Sequence, residues 1–137
     1  MSAENVAMAR RWFEEVWNQR REATIDEFLT ADSVCYGDDG PIIGPEEFRQ
    51  RQFIPFLAAF PDLQVQVDDA LGSGDQVVVR WTARGGHHGH GLGCAPTGRT
   101  VVMQGITWIR VANGKLAEGW QCSNIPQVFQ GLMHPPA

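Results

Sequence analysis

Apolar residues recur at helical spacing over the first part of the chain and at alternate positions over the rest. Val6, Ala9, Trp12, Phe13, Val16 and Trp17 share one face of a helix predicted from about Asn5 to Asn18, with Arg10, Arg11, Glu14 and Glu15 opposite. Thr24-Ile25-Asp26-Glu27 has the form of a capping box and predicts a short second helix ending near Thr30. Ser33 to Tyr36 predicts a short strand, closed by Gly37-Asp38-Asp39-Gly40-Pro41. Gly44-Pro45-Glu46-Glu47 opens a third helix, because proline suits the first turn and the acids suit the dipole. Phe48, Phe56, Leu57 and Phe60 give it an apolar face; Pro55 predicts a kink and Pro61 the stop.

From Leu63 the period is two: Leu63, Val65 and Val67 alternate with Gln64, Gln66 and Asp68, as in a half-buried strand. Gly72-Ser73-Gly74-Asp75 predicts a turn, and Gln76 to Thr82 a strand covered on both faces, since Val78 interrupts the polar alternation. Thr100 to Val111 is a long strand, Asn113-Gly114 a hairpin signal, and Leu116 to Ser123 the last strand. The end, Met133-His134-Pro135-Pro136-Ala137, is expected to be loose. Helices followed by antiparallel strands predict an α+β fold with the helices packed on one face of the sheet, and a strongly curved sheet packed this way can enclose a pocket between its concave face and the helices. One domain is expected over residues 1–137, with its core at about 5–132.

Composition agrees with a single globular domain: 137 residues, 43% hydrophobic and 20% charged. The net charge of −5 argues against a nucleic-acid partner. No apolar run approaches the roughly 20 residues of a membrane span. Met1-Ser2-Ala3-Glu4-Asn5 lacks the basic and apolar segments of a leader, and three widely spaced cysteines form no Cys-x-x-Cys pair. A cytoplasmic protein with reduced thiols is therefore expected. His87-His88-Gly89-His90 is the one run resembling a metal site, but on a strand His87 points away from His88 and His90. No acidic or cysteine partner stands beside them at ligand spacing, so no metal is expected.

More specific is the order Phe60-Pro61-Asp62-Leu63, then Arg80, Gly85-Gly86-His87-His88-Gly89, Gly93 and Pro96-Thr97-Gly98-Arg99, and finally Asn113-Gly114-Lys115-Leu116-Ala117-Glu118-Gly119-Trp120. This succession resembles the SnoaL-like polyketide cyclase family, of the nuclear-transport-factor-two-like or ketosteroid-isomerase-like superfamily, with its FPDL, GTHxG, PTGR and DGKIxExW motifs. The resemblance implies a cone-shaped α+β domain with a deep pocket, often a homodimer, without metal or cofactor. It also implies proton-transfer chemistry beside a carbonyl on a hydrophobic small molecule. An exposed sheet face bearing Trp108 or Trp81 would suit the dimer contact.

By this resemblance His87 matches the motif histidine and is the candidate acid/base. The family's last strand ends Trp-x-x-x-Asp, and here Trp120 is followed by Asn124, which hydrogen-bonds but does not titrate. Three possibilities follow: another base such as His87, polarisation of an oxyanion by Asn124, or binding without turnover. Gln104, polar in the middle of an apolar strand, is a second candidate donor to a carbonyl or a core hydrogen-bond partner. Trp120 and Cys122, which share Asn124's parity, are expected on the pocket wall with Trp17 and Tyr36, and Asp32 at the mouth. Asp38 and Asp39 are expected as solvated loop residues. The expected activity is a cofactor-independent cyclase or isomerase of secondary metabolism. The alternatives are an epoxide hydrolase or dehydratase in the same pocket, and a non-enzymatic ligand-binding domain.

Overall fold

The fold is that of a computed structural model, which describes residues 2–38 and 40–133. Helix α1 (Ser2–Phe13) runs into a π-helical turn, Glu14–Asn18. Helix α2 is Glu22–Phe28, and its start differs from the sequence expectation. Thr24 is no cap: it lies inside the helix, fully buried, donating to Glu15 Oε1 and accepting from Arg21, both at 2.7 Å. Strand β1 (Val34–Gly37) pairs with an unanticipated β2 (Gly40–Ile43), whose first residue takes φ +99°, a conformation glycine tolerates.

Next come α3 (Gly44–Phe48), a second π-helical turn at Arg49–Phe53, and α4 (Ile54–Ala59). Pro55 breaks nothing. It sits in the first turn of α4, and the wider π turn before it absorbs the amide hydrogen that proline lacks. Strands β3 (Gln64–Ser73), β4 (Gln76–Gly86), β5 (Thr100–Ala112) and β6 (Lys115–Ser123) follow, longer than the pattern predicts. Asn113 and Gly114 take φ +53° and +72° in the β5–β6 turn, as an Asn-Gly hairpin requires. Helix α5 (Ile125–Met133) was not anticipated; residues 134–137 of the tail expected to be loose lie outside the described residues.

The sheet order is β2-β1-β6-β5-β4-β3. All neighbours are antiparallel except β1 and β6, which run parallel. This corrects the all-antiparallel expectation: β1 enters from the helical segment and not from a hairpin with β6. Helix α1 packs across β3 and β4, α2 against β6, and α5 against β5. The helices thus cover one face of a curved, unclosed sheet. On β5, Val101, Met103, Thr107, Ile109 and Val111 are buried on that inner face, while Val102, Ile106 and Trp108 on the outer face are 45 to 48% exposed.

Gly105 stands where the inner face is tightest. A Cβ there would lie 2.5 Å from Trp81 Cζ2 and 2.8 Å from Ser123 Cβ. Gly105→Ala is therefore expected to cost about 1–3 kcal/mol by overpacking. Urea unfolding checks this; a midpoint equal to that of the unsubstituted protein would show that the inner face has room to spare.

Candidate functional site

Between the inner face and the helices lie two adjoining cavities of about 90 and 50 Å³. They share four wall residues, Phe13, Trp17, Gln52 and Gln121, and so form two lobes of one cleft. The first lobe opens toward β1 and is flanked by Trp12, Phe48 and Cys35; the second runs toward Phe56, Trp81 and Met103. The aromatic wall is a packed cluster: Trp12 lies 5.1 Å from Phe48, and Trp17 5.9 Å from both Phe48 and Phe56, ring centre to ring centre. Of the three helical residues common to both lobes, the two π-helical turns supply Trp17 and Gln52, and Phe13 ends α1. Widening the helix by one residue rotates the following side chains, and π turns recur at functional sites for that reason.

The polar part of the wall is uncharged. Trp81 Nε1 donates to Thr107 Oγ1 at 3.0 Å, and Thr107 Oγ1 donates to Gln121 Oε1 at 3.4 Å. Indole is only a donor, so the threonine hydroxyl hydrogen is free for the amide oxygen of Gln121. That leaves Gln121 Nε2 without a partner among the described residues, as are both ends of the Gln52 amide. Ser33 Oγ is occupied, donating to the Leu116 carbonyl at 2.6 Å and accepting from Thr30 N at 2.8 Å. Burial, and then the charge of Asp38, push the Cys35 thiol above its ordinary range, so it is a neutral wall group. Glu118 borders the first lobe, but it pairs with Arg110 in the β5–β6 ladder and shares Trp120's parity, so its carboxylate lies on the outer face, where Arg110 Nε donates to it at 2.7 Å.

Most residues picked from sequence lie elsewhere. Gln104 is exposed on the outer face, because β5 turns Met103 and Thr107 inward and Gln104 is out of phase with both. Trp120 pairs with Trp108 and Cys122 with Ile106, so both belong to the outer face. Tyr36 stacks on Trp120 at 5.9 Å and is also outside. Asp32 is exposed in the turn before β1, its backbone N–H donating to Thr30 Oγ1. Asn124 extends the ladder of β5: its Oδ1 accepts from Gln104 N at 2.8 Å while its own N–H donates to Gln104 O at 3.1 Å. It also starts α5, since its carbonyl accepts from Val128 N. Trp17 alone of the candidates stands on the cavity wall.

His87 is fully buried at the end of β4 and lines neither lobe. Its Nδ1 accepts from the Thr97 backbone N–H at 3.3 Å and lies 3.0 Å from Thr97 Oγ1. Accepting there places the proton on Nε2, which is buried without a hydrogen-bond partner. The ring packs 5.7 Å from Phe60, and the backbone pairs with Arg99 and Gly98. His87 therefore holds the loop from residue 87 to 99 against the end of β4. Among the described residues no group of three or more His, Cys, Asp or Glu could hold a metal ion, and no helix is long and apolar enough to cross a membrane.

Residues missed from sequence are Gln52, Thr107 and Gln121. The missing signal is parity: Thr107 and Gln121 are opposite one another in the β5–β6 ladder, both out of phase with Trp108 and Trp120.

Comparisons with known proteins agree with this architecture. The model of the SnoaL-like polyketide cyclase family matches residues 7–132. A proposed SnoaL-like polyketide cyclase from Jannaschia sp. CCS1 is similar over 98% of this chain and 95% of its own, at 25% identity and TM-score 0.87. AclR, a proposed hydroxylase from Streptomyces galilaeus, is 26% identical over 100% of this chain and 86% of its own, with TM-score 0.83. IdmH, a proposed polyketide cyclase from Streptomyces antibioticus, is 25% identical over 95% of this chain and 99% of its own, with TM-score 0.78. Among curated proteins none matches.

Burial, followed by the charges of Arg99, His88 and His90, holds the His87 pKa below the ordinary imidazole value. A depressed folded pKa contributes stability that is present above the unfolded value of about 6.5 and is lost as pH falls through the folded one. The urea midpoint should accordingly drop on going from about pH 7.5 to 5.5. His87→Gln should be less stable at the higher pH and show a smaller drop. An equal drop in both proteins would remove His87 as the source.

Proposed function

The chain belongs to the SnoaL-like polyketide cyclase family, and from that premise we propose that it folds an uncharged, largely apolar polyketide-like carbonyl compound in the two-lobed cleft and promotes its ring closure. The observation that carries this reading is the sharing of Trp17, Gln52 and Gln121 by both lobes. A molecule occupying both lobes bends around the two amides, with a carbonyl oxygen at Gln121 Nε2. That amide is already oriented by Thr107 and Trp81, so it need not reorganise as charge develops on the oxygen. Holding the chain bent supplies much of the remaining barrier reduction, of order 7–11 kcal/mol in the best intramolecular cases. The likeness to a proposed hydroxylase as well as to proposed cyclases is in keeping with one fold hosting several chemistries.

We also propose that a second copy of the chain covers the outer face of β1, β6 and β5. Tyr36, Val102, Ile106, Trp108 and Trp120 are each 39 to 48% exposed there. Arg110 and Glu118, in the same strip, neutralise each other, so a two-fold pairing sets no unpaired charge against its like. Trp81, the other residue considered for such a contact, is buried on the inner face and takes no part.

Two measurements test these readings. With an acyclic aryl poly-β-ketone as substrate, Gln121→Leu should lower kcat/KM about 100-fold, the usual cost of one oriented donor. Full activity in that variant would overturn the assignment of Gln121, and tight binding with no turnover by the unsubstituted protein would favour a ligand-binding role. Light scattering should give the mass of a dimer, and Trp108→Glu that of a monomer; a monomeric unsubstituted protein would contradict the pairing.

A further inference from the structure

The aromatic lining leaves little room in the cleft. Its lobes measure about 90 and 50 Å³. An engineered apolar cavity of about 150 Å³ holds benzene. Neither lobe reaches that size, and the two joined only approach it. The enclosed part of a ligand is therefore limited to about one six-membered ring with the carbonyl beside it.

The walls that set this size are braced from behind. Trp17, common to both lobes, is held by three phenylalanines, with ring centres 5.9 Å away at Phe48, 6.2 Å at Phe53 and 5.9 Å at Phe56. Phe56, which lines the second lobe, is in turn backed by Phe129 at 5.5 Å. On the sheet side stands Trp81, bonded to Thr107 through its indole N–H. Its Cζ2 lies only 2.5 Å from where a Cβ on Gly105 would be, so the ring rests on the backbone of β5 and does not withdraw toward the sheet. Interiors packed this way have low compressibility, and the size of the cleft is a property of the fold.

We propose that Trp17 and Phe56 are size-determining residues: the cleft takes a single-ring ketone, or the single-ring end of a longer flexible chain, and rejects fused polycyclic ketones. The inference rests on the reading of Gln121 as the carbonyl donor, because that contact holds the ketone where the two lobes meet. A long chain leaves through the mouth of the first lobe, toward β1, while its end is enclosed. A fused ketone with a ring on each side of its carbonyl cannot reach Gln121 without burying all of its rings. Ring closure in this cleft accordingly forms an isolated ring and not the last of a fused set.

The probes are acetophenone, which has one ring, and 9-fluorenone, whose carbonyl is flanked by a fused ring on each side. Binding is followed by the nitrogen-15 side-chain amide resonances of Gln52 and Gln121. Acetophenone should move both. 9-Fluorenone should bind about tenfold more weakly or worse, although its larger apolar surface alone would favour it. Trp17→Leu and Phe56→Ala should each raise the affinity for 9-fluorenone about tenfold by opening the space; if one fails to fold, the other decides. Phe60→Leu, at a fully buried position that lines neither lobe, should leave the preference unchanged. 9-Fluorenone binding at Gln121 of the unsubstituted protein as tightly as acetophenone overturns the size limit and leaves the reading of the cleft standing. A folded Trp17→Leu or Phe56→Ala protein that still rejects it, or a Phe60→Leu protein that admits it, overturns the assignment of the two wall residues. If neither ketone moves Gln52 or Gln121, the reading of the cleft fails together with the inference.

Discussion

A strand shows successive side chains to opposite faces, and in β4, β5 and β6 this alternation separates two surfaces of different character. The inner one carries Val77, Val79, Trp81, Met103, Thr107 and Ile109, all buried under the helices. The outer one carries Trp108, Trp120 and Tyr36, in register or stacked with one another. A one-residue slip in any of these strands would exchange the two sets and abolish the cleft. Gly105 helps to hold the register, since Trp81 and Ser123 occupy the space its side chain would take.

The chemistry of the cleft follows from what that inner face presents. Its polar groups are connected: the Trp81 indole orients the Thr107 hydroxyl, which orients the Gln121 amide. The helices add Trp17 and Gln52 through two π turns, one of them adjoining Pro55, so a local backbone constraint contributes to the shape of the site. A neutral donor against aromatic walls suits a carbonyl that gains negative charge more than it suits an anion bound from the start, whose desolvation it would not offset.

Much of the fold was legible in the sequence. The helical period of Val6 to Trp17, the alternation from Leu63 and the Asn113-Gly114 turn each mark their elements to within a few residues. The site was less so, because parity is relative. Both faces of β5 hold apolar residues, and only the packing of the helices decides that Met103 and not Gln104 is inside. Sharing Asn124's parity points Trp120 and Cys122 to the pocket wall, and polarity within an apolar strand points Gln104 there, yet all three fall with the outer set. Asn124 and His87 were chosen through a motif, and both prove to bond backbone: Asn124 closes the β5 edge, and His87 secures the loop ending at Arg99. Hairpin strand β2 is four residues long and contains a proline, which hid it.

The central claim is that the inner amides and not the outer ones meet the ligand. The side-chain amide resonances of Gln52, Gln104 and Gln121 distinguish them directly in a nitrogen-15 NMR titration with an aromatic β-diketone. The account predicts that the Gln121 and Gln52 resonances move and saturate together while those of Gln104 stay in place. Movement of Gln104 with Gln121 unchanged would put the ligand on the outer face and contradict it.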